Sequence, residues 1–91
     1  MNRELRDLRF TPASRRLARR GLLGWVQARL GRVILDGIAV RRTARGHLTI
    51  SFPTRRDAQG REHALVRPVD RAAREAIRRQ VLAAAGLGRT P

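Results

Sequence analysis

The stretch from Leu22 to Val40 decides most of what this chain can fold into. Val26, Ala28 and Leu30 alternate with Gln27 and Arg29, the period of two that sends one row of side chains to a core and the other to water. Gly31-Arg32 then supplies the Gly-X pair of a type II′ hairpin turn, and Val33-Ile34-Leu35 opens a second strand. That strand meets Asp36-Gly37 before Ile38-Ala39-Val40. A second turn there would leave a strand too short to pair well, so Asp36-Gly37 is expected as a bulge that keeps Ile38 and Val40 in the core.

The flanking segments extend this hairpin into a sheet. Leu5, Leu8 and Phe10 suggest a short first strand from Leu5 to Phe10. The basic run Ser14–Gly21 reads as a loop, or as a helix from Ala13 to Arg20 capped by Ser14 and stopped by Gly21. His47–Phe52 is the cleanest strand, with Leu48, Ile50 and Phe52 on one face and His47, Thr49 and Ser51 on the other. Pro53 ends it, Thr54–Gly60 reads as a polar loop, and Ala64–Arg67 as a last short strand that Pro68 confines to an edge or an end.

A C-terminal helix should begin at the N-cap Asp70 and stop at Gly86. Ala73, Ile77, Val81 and Ala84 fall on its buried face, Arg71, Arg74 and Arg78 line a second face, and Glu75 can pair with Arg79. The expected organisation is a basic N-terminal segment, 1–21, holding the first strand, a domain over 22–86, and a fraying tail, 87–91. The fold class is α+β, an antiparallel sheet of four to five strands with one C-terminal α-helix.

The chain has 91 residues and no cysteine, enough for one domain that must be stabilised by packing or association rather than disulfides. A homodimer is therefore expected. Without an apolar run long enough to span a bilayer or an apolar N-terminal leader, the expected location is cytoplasmic and no membrane is implied.

Its charge carries more information. The 21 basic residues against 7 acidic ones give +14, and every one of the 21 is arginine. The planar guanidinium grips phosphate oxygens in pairs and stacks on bases, so a polyanion, and nucleic acid above all, is the indicated partner. A G- and C-rich genome would account for arginine in place of lysine, but not for the shortage of acids. The arginines cluster as Arg15, Arg16, Arg19 and Arg20; Arg41, Arg42 and Arg45; Arg55 and Arg56; and Arg71, Arg74, Arg78 and Arg79.

Catalysis finds little support, and the chain is read as not an enzyme. His47 beside Ser51 is a weak dyad, and His63 with Glu62 offers two metal ligands where zinc usually takes four. The glycines stand singly as backbone punctuation rather than as a phosphate loop, and no cofactor is implied. Trp25, Phe10 and Phe52 are the only aromatics, too few for a sheet that stacks several bases. Trp25 could stack a base if exposed, but is expected in the core or at an interface.

From Pro53 onward the spacing is more specific. Pro53, Arg55-Arg56, Gly60, Pro68, Arg74, Ile77 and Val81-Leu82 fit P-x-[KR]-R-x-x-x-G-x7-P-x5-R-x2-I-x3-VL. The stretch resembles the stage V sporulation protein G (SpoVG) family of bacterial septation and regulatory proteins, closely over about thirty residues and more loosely back to Leu22. Gly37 and Ala39 stand where that family commonly has an acidic and a basic residue, and the basic segment before Gly21 is not a feature of it.

The resemblance implies a small α+β domain with a curved antiparallel sheet and a C-terminal helix, which dimerises and binds DNA and RNA with modest sequence preference. It places Arg55 and Arg56 in a basic loop and Arg74 on the helix as nucleic-acid contacts. Arg71 and Arg78 join them as residues of the same helix face. The expected function is thus a SpoVG-like nucleic-acid-binding regulator linked to septation, sporulation and gene expression. The competing expectation is an interaction module that docks an acidic partner of the division machinery.

Overall fold

The computed structural model describes residues 5–87; the expected fraying of the tail falls largely outside them. In chain order the elements are β1 (Arg6–Pro12), α1 (Arg15–Arg19), β2 (Leu22–Leu30), β3 (Val33–Arg42), β4 (Leu48–Ser51), β5 (Thr54–Arg56), β6 (Glu62–Ala64) and α2 (Arg71–Ala84). The first four strands form one antiparallel sheet in the order β1-β2-β3-β4, and β5 and β6 pair as a separate hairpin. The α+β class and the C-terminal helix are as the sequence indicates.

The β2–β3 hairpin turns through Gly31-Arg32 between the paired Leu30 and Val33. Gly31 has φ +58 and Arg32 keeps a negative φ, the combination of a type II′ turn. The register then slips between Val26↔Ile38 and Ala28↔Leu35, so Asp36-Gly37 is the expected bulge. A second bulge faces it from the other side of β2, where β1 slips between Arg6↔Arg29 and Arg9↔Gln27. There Asp7 takes φ +51, a conformation that Asp tolerates better than most residues. Bulges on both neighbours at one level of β2 sharpen the local twist and bend the sheet around its core.

That core lies under α2. Val26, Ile38, Val40, Ile50, Val81 and Leu82 are buried together, and Leu8, Phe10, Leu23, Leu35, Leu48, Phe52, Ile77 and Leu87 pack around them. Gly24 lets β1 close on this cluster. A Cβ there would stand 2.6 Å from the Phe10 ring and 2.4 Å from the Thr11 carbonyl oxygen.

Several details depart from the sequence reading. The basic run does form a helix, with the Ser14 hydroxyl accepting from Leu17 N at 3.3 Å. On α2 the buried face is rotated: Leu82 is buried and Ala84 exposed, because the larger side chain gains more by leaving water. Glu75 pairs with Arg78 at 3.3 Å rather than with Arg79, since Arg78 is already held beside it over β4.

The supposed loop Thr54–Gly60 contains β5, and the last strand is Glu62–Ala64, upstream of the expected Ala64–Arg67. Polar chemistry closes this hairpin. Asp57 Oδ1 accepts from the N–H of Gln59 and of Arg61, each at 2.9 Å, and Gly60 takes φ +82.

Candidate nucleic-acid interface

The topology gathers one group of arginines at one end of the sheet. α1 bridges the end of β1 and the start of β2, where β3 also ends, since Leu22 pairs with Arg41. The Arg42 N–H donates to the Gly21 carbonyl oxygen at 2.7 Å, which ties the C-terminus of α1 to the last residue of β3. Arg19 and Arg20, at the C-terminus of α1, therefore share that end with Arg41, Arg42 and Arg45, and all five are exposed, as are Arg15 and Arg16 in the first turn of α1. The β3–β4 turn is held by Thr43, whose N–H donates to His47 O at 2.8 Å and whose Oγ1 accepts from His47 N at 3.0 Å. Arg78 and Arg79 of α2 border a shallow cavity with His47 and Leu48 beside that turn.

Carboxylates are placed elsewhere. Asp7 pairs with Arg29 at 3.7 Å, Asp36 sits in the β3 bulge, Asp57 and Glu62 belong to the β5–β6 hairpin, and Asp70 caps α2 through Ala73 N at 2.8 Å. Among the described residues only Glu75 lies near the arginine-rich end, where it pairs with Arg78. Guanidinium groups so collected repel one another until counterions or a polyanion gather on them.

The residues singled out by sequence are divided by the fold. Arg55 and Arg56 lie on β5, opposite His63 and Glu62. Arg56 is in an ion pair with Glu62 at 3.5 Å, which leaves Arg55 as the hairpin's more available cation. Arg71 is exposed in the first turn of α2. Arg74 and Arg78 are half-buried, with Nη2 of each donating to a β4 carbonyl, Ile50 at 3.1 Å and Leu48 at 3.0 Å. They fasten helix to sheet and keep only part of their donor capacity for a ligand.

Arg41, Arg42 and Arg45 appear in the sequence as a cluster, but their meeting with α1 depends on the Gly21–Arg42 hydrogen bond, which no local pattern announces.

The catalytic candidates do not assemble. Residues four apart along an extended chain lie about 13 Å apart, so His47 cannot bond Ser51. His63 meets Asp57, Nε2 to Oδ2 at 2.7 Å. That contact first, and the Arg61 and Gln59 amides after it, hold the Asp57 carboxyl below its ordinary pKa. Among the described residues no group of three or more His, Cys, Asp or Glu comes together.

Trp25 is half-buried and lies outside the core cluster. Its neighbour Val26 takes the core position, and period-two alternation turns Trp25 to the sheet face away from α2.

No helix among the described residues is long and apolar enough to cross a membrane. No family model, no curated protein and no solved structure matches the chain.

Proposed function

We propose that this chain is a SpoVG-like nucleic-acid-binding regulator, linked to septation and gene expression, that acts as a cytoplasmic homodimer and holds phosphate backbones through arginine. The observation that carries the reading is the segregation of charge: Arg19, Arg20, Arg41, Arg42 and Arg45 share one end of the sheet, while all but one of the described carboxylates lie elsewhere. Phosphate contacts of this kind supply affinity without reading sequence. The Pro53–Leu82 spacing supplies the link to septation and regulation.

Dimerisation draws support from the opposite end. Leu5, Leu30, Leu35, Phe52, Val66 and Ile77 line an apolar groove there, and Val69, on its rim, is 90% exposed. A second copy bound at this groove would leave the two arginine-rich ends well apart. β2 alone spans about 25 Å, more than twice the ~10 Å over which charges act at moderate salt.

A binding titration against double-stranded DNA, single-stranded DNA and RNA over a range of salt tests the reading. The logarithm of the binding constant should fall linearly with the logarithm of salt, by nearly one unit per phosphate neutralised. Absence of binding at low salt, or an affinity indifferent to salt, would overturn it.

A further inference from the structure

Trp25, Ala39 and Ser51 form one row across β2, β3 and β4, on the face opposite α2. The next residues along, Val26, Val40 and Ile50, are buried beneath the helix. Ala39, with only a methyl group, is buried between its neighbours and forms part of the floor beside the indole. From there a groove of about 610 Å³ runs past Ser51 and round the open edge of β4 to Thr54 on β5, with Arg41, Arg67 and Arg74 along it. Its volume is within the ~300–1,000 Å³ of ordinary small-ligand sites. Glu62 borders it too, but its charge is met by Arg56 at 3.5 Å.

A flat aromatic surface between guanidinium groups suits a flat, electron-rich ring carried on a polyanion. We propose that this groove seats an unpaired base of single-stranded nucleic acid, stacked on Trp25, with Arg41 on a neighbouring phosphate. The inference rests on the nucleic-acid reading above and adds to it the form of the ligand. Arg74 is already committed to Ile50 O at 3.1 Å and forms the wall. Arg41 itself belongs to the arginine-rich end, since it pairs with Leu22 at the start of β2, so one strand can run from the groove onto that end. A duplex keeps its bases stacked inside and cannot present one to a sheet face, whereas a single strand can. One tryptophan makes one stacking position, which agrees with the scarcity of aromatics.

Trp25 is the only tryptophan in the chain, so its emission reports on the groove directly. The test titrates the full protein with oligodeoxythymidine of about eight nucleotides, within the usual site size of a single-strand binder. Oligouridine, a duplex and an abasic strand of the same length serve as comparisons. Both unmodified single strands should quench the emission, while the duplex and the abasic strand bind more weakly and leave it unchanged. W25A should lose about tenfold in affinity for the single strands at an unchanged salt slope, and W25F should keep most of it.

Single strands that bind without quenching, or an abasic strand that quenches as well as the others, would overturn the stacking site and leave the phosphate-binding reading standing. Failure to bind any of the four would overturn both. The quenching comparison uses the native chain, so its result is independent of whether W25A folds.

Discussion

Arg74 donates through Nη2 to the carbonyl oxygen of Ile50 at 3.1 Å, across the outer edge of β4. β4 is the last strand of its sheet, and an open edge invites pairing with other chains unless something covers it. Arg78 repeats the device on Leu48 at 3.0 Å, so two guanidinium groups cap alternate carbonyls of the edge while anchoring α2. Hydrogen bonds from charged donors contribute about 1.5–3 kcal/mol. R74A should therefore lower the melting temperature by about 5 °C or more. R55A, on an exposed strand, should stay within about 0.5 kcal/mol of the parent protein. Thermal unfolding followed by circular dichroism distinguishes the two, and an R74A protein as stable as the parent would remove the anchoring role.

Binding should divide the arginines differently. Among the described residues no carboxylate forms an ion pair with Arg41, Arg42 or Arg45, whereas Arg56 is neutralised by Glu62 at 3.5 Å. Replacing the first three together by alanine should flatten the salt dependence by roughly 0.7–0.9 of a unit for each phosphate they neutralise. R55A/R56A should change the slope less, because one of its two charges is already spent inside the hairpin. Equal changes in the two variants, measured by anisotropy at several salt concentrations, would move the interface away from the α1 end.

Gly21 is where local backbone chemistry decides how that end is assembled. It takes φ +98, and a Cβ would stand 2.6 Å from the Arg42 carbonyl oxygen, so any side chain must push α1 off the end of β3. G21A should cost about 1–3 kcal/mol, as overpacked sites do. It should also weaken nucleic-acid binding although no charge is removed. The Arg42 N–H, which donates to Gly21 O at 2.7 Å, should lose its protection from hydrogen exchange. Retained protection in G21A would mean that the junction tolerates a side chain.

These residues also mark what could be read from the chain alone. The β2–β3 hairpin was legible because alternation, a Gly-X turn and a bulge are local patterns, each written within a few residues. The β5–β6 hairpin was not. Thr54–Arg56 and Glu62–Ala64 have little apolar alternation, and they pair because Asp57 and Gly60 close the turn between them. Arg74 and Arg78 could be placed on one helix face by spacing, but their use on the β4 edge depends on a strand more than twenty residues away. Trp25 is expected in the core or at an interface because aromatics are so few, yet Val26 holds the buried place in the alternation and leaves Trp25 the other face.

The β5–β6 turn should be sensitive to acid for a reason visible at one carboxylate. Asp57 accepts from His63 Nε2 at 2.7 Å and from the Arg61 and Gln59 amides, and these bonds lower its pKa. Because the folded value lies below the unfolded one, its contribution to the hairpin is complete above about pH 3.9, the ordinary value for Asp. It is lost as the pH falls through the lowered folded value. The amide resonances of Gln59 and Arg61 should therefore move together below that pH. D57N keeps an acceptor oxygen for the two amides but discards the charge that meets His63 and Arg61. Its amide shifts at neutral pH should resemble those of the acidified parent and stay flat on further acidification. If the parent's amides move only above pH 5, another group controls the turn.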